Sequence, residues 1–81
     1  MTDNSARIWA PADFGLAIQQ ARMEQGITQT DLAERADIAQ SAVSAIENGK
    51  NTILLRTLIE LMNELGIELT ATWGSDDQTQ S

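Results

Sequence analysis

The 81-residue chain contains no cysteine and no histidine. This double absence excludes disulfide staples, thiolate and imidazole metal sites, cysteine nucleophiles and serine–histidine triads. No apolar run approaches the roughly 18 residues that a membrane span needs. Residues 1–6 are polar and lack the apolar centre of a secretory signal, so the cytoplasm is the expected compartment. Bases are scarce: five Lys and Arg stand against twelve Asp and Glu, for a formal net charge of −7. Taken alone, that acidity argues against a nucleic-acid binder, whose footprint is usually basic. What is present is globular, with 42% hydrophobic and 21% charged residues in the length of one small domain. Such a chain buries only about 60% of its unfolded surface, and oligomerisation would help it.

The single proline, Pro11, suits the first position of a helix running to about Gln25, with Asp13 in its first turn and Trp9 and Phe14 spaced as a hydrophobic staple. Phe14, Leu16, Ala17, Ile18 and Ala21 mark its buried face, and Gly26 ends it. Thr28, with Asp31 three residues on, caps a short second helix whose inner face is Leu32, Ala33 and Ala36. Asp37 breaks the pattern. A third short helix begins near Gln40, turns Val43 and Ile46 inward, and stops at Asn48-Gly49. Between Ile53 and Leu65 a fourth helix carries an apolar arc too wide for one buried side, which predicts a second partner surface. After Gly66 the period falls to two: Ile67, Leu69, Ala71 and Trp73 alternate with Glu68, Thr70 and Thr72 as a strand that must find a partner. The expected organisation is an arm over 1–10, a helical domain over 11–66, a strand over 67–73 and a disordered polar tail over 74–81.

The second and third helices and the tight turn between them form a helix-turn-helix pattern, in which the second member lies in the DNA major groove. Its exposed side gathers Gln40, Ser41, Ser44, Ala45 and Asn48. On an isolated helix this reads most simply as a solvated polar face. In a groove, Gln pairs bidentately with adenine, Ser reaches either kind of base, and the Ala methyl touches a thymine methyl.

The residues Gly26-Ile27-Thr28-Gln29, Leu32-Ala33, Ser44 and Glu47-Asn48-Gly49 resemble the phage-repressor/Cro-type (XRE) helix-turn-helix family over about residues 14–66. The resemblance implies a mostly α, lambda-repressor-like bundle and turns the polar face into a base-reading one, with Gln40, Ser41, Ser44 and Ala45 at base edges. It also implies phosphate contacts from Gln29, Asn48, Lys50 and Arg56, and a structural ion pair between Arg22 and Glu47. Three positions depart from the family pattern. Asp37 replaces a turn glycine, Ala39 a Ser or Thr cap, and Ile53 a proline. Asp tolerates the left-handed conformation better than most residues, so the turn survives.

Outside that core, the lead-in Ile8-Trp9-Ala10-Pro11, the proline-free loop Asn51-Thr52 and the run Leu61-Met62-Asn63-Glu64-Leu65-Gly66-Ile67-Glu68-Leu69-Thr70 are similar to HipB-type antitoxins. That resemblance implies a homodimer whose C-terminal strands pair across the two copies through Ile67, Leu69, Ala71 and Trp73. It further implies binding to palindromic double-stranded operator DNA and to a HipA-like serine/threonine kinase toxin, with no cofactor or metal. A stand-alone repressor without a toxin fits the same residues. So does an acidic protein-interaction module that has lost DNA binding. An enzyme is not expected, because no nucleophile and base can be assembled from these residues.

Overall fold

In the computed structural model, which describes residues 3–50 and 53–74, four helices lie between two short strands: β1 (Asp3–Arg7), α1 (Pro11–Glu24), α2 (Gln29–Ala36), α3 (Gln40–Glu47), α4 (Ile53–Glu64) and β2 (Thr70–Gly74). The order matches the helical periodicities. Asn51-Thr52 and the tail beyond Gly74 lie outside the described residues.

Local chemistry sets the helix ends. Pro11 occupies the first turn of α1, and the Asp13 carboxylate accepts the N–H groups of Trp9 at 2.8 Å and Ala10 at 3.0 Å, satisfying donors that the helix itself leaves open. At α2 the box is reciprocal: Thr28 Oγ1 accepts the Asp31 N–H, and the Asp31 carboxylate accepts the Thr28 N–H, both at 3.0 Å. All four helices end by folding two N–H groups back onto the last turn, as Ile27 does to Arg22, Ile38 to Ala33, Lys50 to Ala45 and Ile67 to Met62. Glycine supplies the left-handed residue at positions 26, 49 and 66, while Asp37 holds it at φ 58°, as its place in the turn predicts.

The strand over 67–73 begins later than its alternation suggests, at Thr70, and finds its partner inside the chain. β1 runs antiparallel to it with Ser5 opposite Thr72 and Ala6 opposite Ala71, and the Ile8 N–H extends the ladder to the Leu69 carbonyl at 2.8 Å. Part of the expected arm is therefore sheet. One edge of β2 is satisfied without a second copy, and the other edge has no strand among the described residues. Ala71 and Trp73 of β2, which packs beside α1, are half-buried, as is Leu69 ahead of it, and Ile67 is 47% exposed.

The core is small: Ile8, Ala17, Ala33, Val43 and Ile59 are its buried hydrophobic residues. Val43 points in as its spacing predicts. Ile46 only half does so, because it lines an open apolar pocket with Ile18, Leu32, Ala36, Ile38 and Val43 rather than a closed interior. On α4, Ile59 is buried and Leu55 and Met62 half-buried on the side that packs on α1. Its other side leaves Leu54 78%, Leu58 51%, Leu61 57% and Leu65 74% exposed, at the i, i+4, i+7, i+11 spacing of a single stripe.

Candidate nucleic-acid interface

The position of α3 is set first by a residue with no side chain. Gly15 is buried in the middle of α1, where a Cβ would collide with the Ile46 carbonyl and lie 3.0 Å from that of Glu47. Glycine costs a helix interior roughly 0.5 to 1 kcal/mol relative to alanine. Here it lets the backbones of α1 and α3 touch. The sequence carries a signal for this, an isolated glycine inside a helical period.

That approach brings the end of α3 against α1 and assembles the Arg22–Glu47 pair. Arg22 Nε donates to Glu47 Oε2 at 2.7 Å and Nη2 to Oε1 at 3.0 Å, while Nη1 holds the Ile27 carbonyl at 2.9 Å. The Glu47 side chain is 2% exposed and that of Arg22 13%. The hydrogen bonds from Arg22 hold the Glu47 carboxyl below its ordinary value, Gln29 helps, and burial opposes them. The same bonds raise Arg22. Both residues are turned away from solvent, as a lock between helices requires.

A third hydrogen bond leads out of this pair. Gln29, first residue of α2, donates Nε2 to Glu47 Oε1 at 3.0 Å, and its Oε1 accepts Nε2 of Gln40, first residue of α3, at 2.6 Å. The buried carboxylate is thus connected through two amides to the exposed start of α3. Along that helix Ser41 and Asn48 are exposed and Ser44 and Ala45 half-buried. Asn48 leans on Ser44 Oγ through a long contact of 3.4 Å. The polar residues therefore share one accessible strip beginning at Gln40. Gln29 keeps a second amide N–H beyond the two bonds it makes.

The bases are divided. Arg22 belongs to Glu47, and Arg7 sits 3.4 Å from Glu68 and over the Trp9 ring at 5.1 Å. Arg35, Lys50 and Arg56 have no ion pair among the described residues. Lys50 directly follows the turn that ends α3, whereas Arg56 is exposed on α4. Among the described residues no group of acidic side chains is arranged to hold a metal ion, and no helix is long and apolar enough to cross a membrane.

Two short helices, a tight left-handed turn and a polar second helix braced by an ion pair form the geometry of a helix-turn-helix. The helix-turn-helix family model matches residues 18–71, two thirds of the chain. The chain belongs to this family of DNA-binding regulators. Within it, the chain is 28% identical over 64 residues to the Antitoxin HipB of Escherichia coli strain K12, covering 79% of this chain and 73% of that protein. It is 30% identical over 63 residues to an uncharacterised HTH-type transcriptional regulator, y4mF, of Sinorhizobium fredii, covering 78% of this chain and 83% of the relative. No solved structure matches it. As a helix-turn-helix regulator it falls in a family whose members are generally not enzymes.

Proposed function

We propose that the protein is a dimeric, sequence-specific repressor of its own operon and the antitoxin of a HipA/HipB-type toxin–antitoxin pair. The observation that carries the DNA reading is the strip of hydrogen-bonding side chains on α3. It begins at a Gln40 held in place from behind. In this reading Gln40, Ser41, Ser44 and Ala45 meet base edges, and Gln29, Asn48, Lys50 and, less centrally, Arg56 meet phosphates. The likeness to HipB supports the antitoxin role.

Dimerisation rests on α4 more than on the strand. β2 already has a partner, while the Leu54, Leu58, Leu61 and Leu65 stripe has none among the described residues. Packed against its symmetry mate, that stripe gives the self-complementary interface of a two-fold dimer. A two-fold protein then demands a palindromic operator.

Inspection of the reading frames beside its gene, and co-expression with any that is kinase-like, is the test. A complex that co-purifies, silences kinase activity and retards the operon's own upstream palindrome supports the full proposal. Retardation of that palindrome with no neighbouring kinase, or with one that does not bind, leaves a stand-alone repressor. The likeness to the S. fredii HTH-type transcriptional regulator supports the repressor role common to both readings.

A further inference from the structure

We propose that the groove between α1, α2 and α3 binds a small aliphatic carboxylate, with the charged end at Arg35 and the hydrocarbon chain laid toward the inner face of α3. The inference goes beyond the DNA and antitoxin readings and depends on neither.

Two adjoining clefts make up the groove. The first, of about 370 Å3, has Ile18, Ala21, Ile27 and Leu32 as its apolar lining and is bordered by the exposed Gln25 and Arg35. The second, of about 220 Å3, is lined by apolar side chains alone: Ala36, Ile38, Val43 and Ile46 join the same Ile18 and Leu32. Sharing these two residues makes the clefts continuous. Together they reach the size of small-molecule sites, which run from roughly 300 to 1,000 Å3. Polarity falls in one direction along the groove, from a charged mouth to a wholly apolar end. That gradient specifies a ligand with a polar head and a hydrocarbon tail.

The sign of the head comes from Arg35. Arg22 also borders the first cleft, but its guanidinium is engaged by Glu47 and the Ile27 carbonyl. Arg35 is exposed, has no ion pair among the described residues, and is a base that the DNA reading does not use. Asp31, one turn earlier on α2, feels its charge, yet that carboxylate already accepts the Thr28 N–H. A guanidinium at the mouth of an apolar groove is complementary to an anion. Its planar fork matches a carboxylate bidentately, and Gln25 on the same cleft offers a further amide N–H. A cationic amphiphile meets repulsion there, and a neutral alcohol leaves the charge unmatched. Ile38 stands in the turn before α3, and Val43 and Ile46 on its inner side, so the tail packs against the back of that helix.

The test is a methyl NMR titration of the full chain with sodium octanoate below its micelle-forming concentration, which gives affinity and position together. Octanoate is expected to shift the methyl signals of Ile18, Leu32, Ile38 and Ile46 ahead of those of Leu54 and Leu58 on α4. Affinity should fall by about two- to four-fold for each methylene removed on the way to butanoate. Arg35→Gln is expected to weaken octanoate by on the order of ten-fold and to leave 1-octanol, the same chain without the charge, unaffected. Ala36→Phe, which projects a ring into the second cleft, should weaken both ligands alike. The absence of shifts with octanoate overturns the inference, as do shifts centred on the α4 leucines. Equal affinity for octanoate and 1-octanol in the wild type overturns it too, because the head then carries no recognition. So does a folded Arg35→Gln protein that holds octanoate as tightly as wild type. Acetate binding as well as octanoate marks an adventitious ion only and has the same force.

Discussion

At Gly15 the absence of one methyl group decides where α3 lies. Gly15→Ala drives a Cβ into the Ile46 carbonyl, and backbone cannot rotate aside as a side chain can. An overpacked contact of this kind costs about 2 to 3 kcal/mol, despite the gain in helix propensity. Denaturant unfolding should show that loss; a variant as stable as wild type would mean α1 and α3 do not meet there. Charge acts at the same scale. Asp31 is held below its ordinary value chiefly by the Thr28 backbone N–H, and Glu47 chiefly by Arg22. A carboxyl with a depressed folded-state value binds fewer protons folded than unfolded in the interval between its two values, so stability rises with pH there and is lost as pH falls through the folded value. The stability gap between wild type and Glu47→Gln, or wild type and Asp31→Asn, should therefore be full near neutrality and close progressively below about pH 5. Melts across that range measure it, and a gap independent of pH would contradict the assignment.

Among the elements, the four helices were legible because each is written twice, in its apolar spacing and in its ends. Pro11, Thr28 with Asp31, and the glycines at 26, 49 and 66 all stand where the termini fall. β1 was not legible. Its residues Asp3-Asn4-Ser5-Ala6-Arg7 have low strand propensity and no apolar alternation, and they become a strand only because β2 offers its edge more than sixty residues later. The candidate site was half legible. Spacing and family pattern name Arg22, Glu47 and the α3 face, but the Gln29–Gln40 bond joins residues whose amides meet only after the turn folds. On α4 the wide apolar arc predicts a second partner surface, and the leucine stripe left exposed is where the proposed dimer places it. The proposed dimer has Leu58 and Leu61 in its interface, so replacing both with Asp should give monomer in light scattering and weaken operator binding with it. A double variant that remains dimeric would move the interface to the strands.

For the whole molecule, the question is how a chain of net charge −7 holds a polyanion. Arg22 and Arg7 are engaged within the protein, which leaves few bases for phosphates. In the proposed reading specific binding leans on two-fold symmetry, on the uncharged strip of α3 and on amide contacts, and non-specific binding should be weak. Each phosphate neutralised by Lys or Arg contributes about 0.9 to the salt slope, so a dimer relying on Lys50 and Arg56 should show a slope of only about −2 to −4. Lys50→Ala should flatten it and weaken all sequences alike, whereas Gln40→Ala should cost roughly 1 to 3 kcal/mol per half-site on the cognate sequence alone. The direct test is therefore titration of the wild-type protein against the palindrome upstream of its own gene at several salt concentrations, beside a scrambled duplex of equal length. Tight binding to the palindrome, weak binding to the scrambled duplex and a shallow slope are the predicted result. Failure to bind the palindrome at low salt, with or without a kinase partner, would contradict the repressor reading and leave the acidic protein-interaction module in its place.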